Sequence, residues 1–205
     1  ETKQDEEELV KKIQDVMVDS VKHHKIADVE VGSFLSSGVD SSYVVSLLKP
    51  NKTFTASFES KYSKYDEIKY AKDLSDKLGI ENKSYVITKE EYLKEFPKIM
   101  YYMDEPLADA AAIALYFLSK EAAKKVKVVL SGEGSDELFG GYRIYQEPIT
   151  VTAYDSLPFG LRRFIGKICS FLPQKHGINY LVRRGKTIEE RFIGNANIFS
   201  LKERN

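Results

Sequence analysis

Short apolar runs alternate with helix-length segments through most of this chain, and that alternation restricts its fold more than any other feature. Val29 to Leu35 is a short apolar run, and Ser41 to Leu48 is a helical stretch that stops before Pro50. Thr53 to Phe58 reads as a second strand, Asp66 to Leu78 as a helix closed by Gly79, and Tyr85 to Thr88 as a third strand. Two helical segments, Glu90 to Tyr102 and Ala111 to Lys124, precede the buried-looking strand Val126 to Leu130. This order implies parallel βαβ units, because a crossover helix must pack back onto the sheet that it connects. The expected class is α/β: a doubly wound, mostly parallel sheet with helices on both faces. In such sheets ligands sit at the carboxyl ends of strands, near helix N-termini.

Ahead of these units, Leu9, Val10, Ile13, Val16, Met17 and Val21 recur at helical spacing and predict an amphipathic helix ending near His23 and His24. Adjacent histidines point to different faces of a helix, so they read as a solvated helix end rather than a metal pair. From Glu147 the pattern turns helical and irregular around Pro148, Pro158 and Pro173, with ten basic residues against five acidic ones. The expected organisation is therefore a sheet-bearing part, residues 1–146, and a helical continuation of the same domain, residues 147–205, that breaks off before its last layer is complete.

Charge and composition narrow the classes of function. Lys plus Arg number 31 and Asp plus Glu 31, so no chain-wide positive field exists for a nucleic acid or an anionic membrane. No run approaches the ~18 apolar residues of a membrane span. The lone Cys169 excludes an internal disulfide framework and a Cys-x-x-Cys pair, and the acidic start, Glu1 to Glu8, has no secretion-signal pattern. A cytoplasmic setting is expected, and any anion must be held locally.

Two loops are placed to do so. Ser36-Ser37-Gly38-Val39-Asp40-Ser41-Ser42 follows a strand and opens a helix, where unpaired N–H groups and the helix dipole favour negative charge. Gly38 allows a positive φ or a close backbone approach. The Walker A lysine is absent. Asp40 would repel a phosphate unless a divalent cation lay between them, and Mg²⁺ is the natural bridge; the competing reading makes Asp40 or a neighbouring serine a helix cap. The second loop, Ser131-Gly132-Glu133-Gly134-Ser135-Asp136-Glu137-Leu138-Phe139-Gly140-Gly141-Tyr142, also follows a strand and leads into a short helix. Its glycines leave the Glu133 carboxylate room over a ligand, and Asp136 can face the same cleft as Asp40. A capped turn with solvent-facing acids is the alternative.

The first loop resembles the pyrophosphate loop, Ser-Gly-Gly-x-Asp-Ser-Ser, of the ATP pyrophosphatase superfamily, with Ser37 standing where that pattern has its first glycine. The second closely resembles a signature of the synthetase domain of glutamine-dependent asparagine synthetases, and the likeness runs from about Asp5 to Pro148. The resemblance implies an adenine nucleotide alpha hydrolase-like fold and a ligase using ATP and Mg²⁺ to convert aspartate, through β-aspartyl-AMP and pyrophosphate, into asparagine by attack of ammonia. Carried over by motif position, Ser36, Ser37, Gly38, Ser41 and Ser42 would cradle pyrophosphate, and Asp40 and Asp136 would ligate Mg²⁺. Glu133 would manage the amine proton or position the acylated intermediate. Phe34, Ala56 and Ser57 fall where the family lines its adenine pocket, with Ser131 and Gly132 closing it; ordinary core packing is the rival account of Phe34 and Ala56. Tyr65-Asp66-Glu67 also suits the family, and Asp66 otherwise reads as a helix cap.

Asp104 and Glu105 match a family segment near the carboxylate substrate. Leu107 to Ala114 is nonetheless almost entirely nonpolar and holds no arginine for an α-carboxylate, so aspartate as the acceptor follows from the resemblance rather than from these residues. The family's glutaminase half uses an N-terminal cysteine, whereas this chain begins with Glu1 and keeps its only cysteine in the tail, where a buried thiol is expected. The family's catalytic lysine is also expected farther along than residue 205. The chain thus reads as a piece of a longer synthetase whose partners are small molecules and a glutaminase domain, with a homodimer left open. A related ligase forming a lactam or another amide, and a nucleotide-binding domain without catalysis, are the alternatives.

Overall fold

A computed structural model describes residues 5–59, 67–104, 110–146, 152–173 and 175–191. The chain divides into two compact units, residues 1–134 and 135–205.

The first unit carries α1 (Glu6–His24), β1 (Val31–Phe34), α2 (Val39–Leu48), β2 (Lys52–Phe58), α3 (Glu67–Leu78), β3 (Glu81–Ile87), α4 (Lys89–Tyr102), α5 (Ala110–Ala122) and β4 (Val128–Leu130). The four strands pair in the order β3-β2-β1-β4, every pair parallel, as the alternation predicts. At α1's end His23 and His24 each bond the carbonyl four residues back, Asp19 and Ser20, which fits the solvated helix end. Gly79 closes α3 at φ 67°, a left-handed position suited to glycine. Asp66 lies outside the described residues.

Strand alternation sorts β2 onto two faces. Phe54 packs with Ala122 and Val126, joined by Phe34, Leu118 and Val129, and Ala56 packs against the cluster of Ile87, Ile99, Ile113 and Phe117. Thr53 faces the other way, toward Ser75 of α3, where Leu35, Val45, Ala71 and Ile80 form a third cluster. Helices therefore cover both faces. Phe54 lies so close to Gly32 that a Cβ there would meet its ring at 2.9 Å. Strand β3 is longer than its apolar pattern suggests, because Glu81 to Ser84 also pair with β2 despite being polar.

The second unit holds α6 (Ser135–Phe139), α7 (Phe159–Cys169), α8 (His176–Arg184) and the short α9 (Ile188–Arg191). Helices α7 and α8 meet at glycines: a Cβ on Gly185 would lie 2.7 Å from the Arg162 carbonyl oxygen and 3.2 Å from the Cα of Gly166. Cys169 is a buried free thiol, as expected. Asp155 sits between Arg162 (2.9 Å) and Arg184 (3.2 Å) with its carboxylate also accepting from the backbone and hydroxyl of Thr152. Burial raises the pKa of this carboxyl, but the Thr152 bonds and the two guanidinium groups outweigh burial and leave it below the usual aspartate value. No helix among the described residues is long and apolar enough to cross a membrane.

Candidate functional site

Strand order reverses between β1 and β4, the two strands that flank the switch point where open α/β sheets bind ligands. Both singled-out loops leave the sheet there. Leu35 to Gly38 runs from β1 into α2, and Ser131 to Gly134 follows β4.

The first loop is a knot of serines around the start of α2. Ser36 Oγ and Ser41 Oγ lie 2.9 Å apart, the Ser36 N–H donates to Ser41 Oγ, and the Gly38 N–H donates to Ser36 Oγ at 3.1 Å. The hydroxyls of Ser41 and Ser42 both donate to the Gly38 carbonyl, at 3.2 and 2.7 Å. Gly38 is the N-cap, and no side chain caps α2. The helix thus begins without a residue competing for its first-turn N–H groups, the arrangement an anion needs. Asp40 is the second residue of the helix and exposed, which excludes the capping role considered for it. Gly38 is extended, with φ −74°, so the positive-φ reading fails; a Cβ there would sit 3.1 Å from Ser36 Oγ, which leaves the close approach as its reason. Ser37 is not among the positive-φ residues, so this position makes no glycine-only demand.

The second loop touches the first. A Cβ on Gly132 would lie 2.7 Å from the Ser41 nitrogen and 2.9 Å from the Asp40 carbonyl carbon. Only a glycine lets this strand end rest on the first turn of α2. The sequence signal for that contact is the strand-to-loop glycine itself, although the sequence does not say which segment it meets. Glu133 is exposed in the following turn, with its N–H donating to Ser131 Oγ at 3.4 Å, and Gly134 takes φ 88°. Serines 36, 37, 41 and 42, Asp40, Ser131, Gly132 and Glu133 are therefore brought to one edge of the sheet.

Other candidates lie at or beyond that edge's margins. Phe34 and Ala56 are half-buried and contribute to the apolar clusters behind the loops, while Ser57 donates to the neighbouring Phe58 carbonyl. Asp104 follows α4 with a left-handed φ of 61° and is exposed, and Glu105 lies outside the described residues.

In the second unit Asp136 is the second residue of α6, with its carboxylate folded over Gly141 so closely that a Cβ there would collide with Oδ1. Gly140, at φ 66°, ends the helix. Glu137 accepts the Tyr142 hydroxyl at 2.9 Å. That bond, with burial and the carboxylate charge, pushes the Tyr142 phenol up to about 12. Among the described residues no three of His, Cys, Asp and Glu gather as a metal cage. Mg²⁺ carried by a nucleotide needs only one or two carboxylates beside phosphate oxygens, and exposed Asp40 of the first unit is a carboxylate of that kind.

Comparison with known proteins adds family evidence. The family model for asparagine synthase matches residues 12–198, which carries the likeness beyond Pro148 into the tail. Asparagine synthetase [glutamine-hydrolyzing] 1 of Bacillus subtilis is 48% identical over 200 residues, covering 95% of this chain and 31% of that protein. Asparagine synthetase B [glutamine-hydrolyzing] of Escherichia coli is 27% identical over 66% of this chain and 27% of its own length. The chain spans about a third of the length of these relatives. Among solved structures, the NH3-dependent NAD synthetase of Campylobacter jejuni aligns over 88% of this chain and 94% of its own, with a TM-score of 0.43 and 19% identity.

Proposed function

The chain belongs to the asparagine synthase family, and from that premise we propose that it is the ATP-binding part of an amide-forming ligase that activates the side-chain carboxylate of aspartate. The observation carrying this reading is the Gly132 contact, which joins the loops after β1 and β4 at the switch point of the sheet. An uncapped helix start, four serine hydroxyls and a facing glycine loop form a seat for a polyphosphate.

Ser36, Ser41 and Ser42, with the α2 N–H groups, would hold the β and γ phosphates, and Phe34, Ala56 and Ser57 would border the adenine. Asp40 and Asp136 would hold Mg²⁺, which neutralises phosphate charge. A β-carboxylate oxygen of aspartate attacks the α phosphorus, a P–O bond forms, and the bond to the β phosphate breaks to release pyrophosphate. Ammonia then attacks the acyl carbon; a C–N bond forms, the C–O bond breaks, and AMP leaves with one carboxylate oxygen. Exposed Glu133 would take the proton that the attacking amine sheds. Ammonia would come from a glutaminase domain elsewhere in the full-length protein, and the setting would be the cytoplasm.

Oxygen labelling tests this directly. With aspartate labelled at the side-chain carboxylate, the full-length protein should deliver one labelled oxygen into AMP; label retained wholly in the amino acid would contradict adenylation. A lactam or other amide is the second reading, favoured by the apolar run Leu107 to Ala114. Pyrophosphate release with β-lactam precursors and none with aspartate would select it.

A further inference from the structure

A buried polar ladder runs from the edge strand of the sheet to the root of the first loop, and the site described above does not account for it. Thr53, Thr55, Ser75 and Ser33 are essentially inaccessible, in a layer where valine or alanine would pack equally well. The Asn82 amide nitrogen on β3 donates to Thr53 Oγ1 and to Thr55 Oγ1, each at 3.0 Å, and its oxygen accepts from Ser84 Oγ at 2.6 Å. Thr55 Oγ1 in turn donates to the Leu35 carbonyl at 2.8 Å. A hydroxyl has one hydrogen. With Asn82 donating to Thr55, that hydrogen is committed to Leu35.

The Leu35 carbonyl belongs to the same peptide plane as the Ser36 N–H, and the two point in opposite directions across a trans bond. Thr55 therefore holds one side of this plane while Ser41 Oγ holds the other by accepting the Ser36 N–H at 3.2 Å. Ser41 Oγ also touches Ser36 Oγ and Gly38 O, so the orientation of a single peptide reaches the whole serine knot. Valine at position 55 would fill the same space and lose only the two hydrogen bonds of the hydroxyl, the one it donates to Leu35 and the one it accepts from Asn82.

We infer that Asn82 is a positioning residue for the first loop, acting from the sheet edge through Thr55 on the Leu35–Ser36 peptide. The inference rests on the nucleotide reading of that loop. Its consequence is that phosphate affinity depends on a side chain two strands away that touches no ligand.

The test compares Asn82→Ala, Thr55→Val and Thr55→Ser in the full-length protein by equilibrium binding of Mg-ATP to the folded fraction, alongside amide exchange at Ser36. Asn82→Ala and Thr55→Val should each weaken Mg-ATP binding about tenfold, the loss expected of one buried bond. Both should speed exchange at Ser36. Thr55→Ser, which keeps the hydroxyl, should stay within about twofold, and the KM for the carboxylate acceptor should not move. Mg-ATP affinity unchanged in folded Asn82→Ala and Thr55→Val, or lost equally in Thr55→Ser, would overturn the inference. If Thr55→Val does not fold, Asn82→Ala, at a half-exposed edge position, decides alone. Failure of the unsubstituted protein to bind Mg-ATP would instead overturn the nucleotide reading, and this inference with it.

Discussion

Gly132 and Gly141 sit nine positions apart and constrain the second loop in different ways. The neighbour of a Cβ at Gly132 is backbone, the Ser41 nitrogen and Asp40 carbonyl carbon, and backbone cannot swing aside. Gly132→Ala is therefore expected to cost about 1–3 kcal/mol of stability, as overpacking does, and to abolish measurable Mg-ATP binding; urea denaturation and equilibrium titration check the two effects. The neighbour at Gly141 is the end of the Asp136 side chain. Gly141→Ala should displace that carboxylate, lowering pyrophosphate release more than about tenfold while stability changes by less than about 1 kcal/mol. The sequence shows that small residues are required at these positions, but not by what. Gly38 illustrates the gap: a positive φ is one expectation, yet the residue is extended at the N-cap position, with no side chain to cap the helix, and Asp40 is the second residue inside it.

At the scale of elements, hydrophobic period reveals β1, β2, α3 and the helical pair α4 and α5, because their apolar faces meet the core. Strand β3 is only half legible. Its first four residues, Glu81 to Ser84, look like a loop, and their strand character comes from an edge position and from the side-chain ladder to Thr53 and Thr55. Helix α4 begins with a capping box in which Thr88 and Glu91 satisfy each other's N–H groups. Thr88→Ala should lower stability by about 1 kcal/mol in urea melts. In the second unit Asp155 is the half-buried carboxyl that two arginines and Thr152 hold ionised. Its folded pKa lies below the usual 3.8, so its stabilisation is fully present above that value and is lost as pH falls through the lower one. Thermal melts of the parent should therefore fall on acidification below about pH 4, and Asp155→Asn should flatten that fall. An equally steep acid transition in the variant would assign it to other carboxyls.

For the molecule as a whole, family membership is legible in two loop sequences and their order, and the parallel sheet in the alternation of strand-length and helix-length segments. The acceptor pocket was not legible. Its segment is apolar where a charged partner for an amino acid would be informative, and Glu105 falls outside the described residues. The proposed function requires that the loops after β1 and β4 serve a single magnesium-bound nucleotide. The most direct measurement is a double-mutant cycle on the full-length protein: the Mg²⁺ dependence of aspartate-driven pyrophosphate release in Asp40→Asn, Asp136→Asn and the double variant. Two carboxylates on one ion act as a unit, so the double variant should be little worse than either single one. Losses that multiply independently would place the two carboxylates on separate tasks and contradict the shared site.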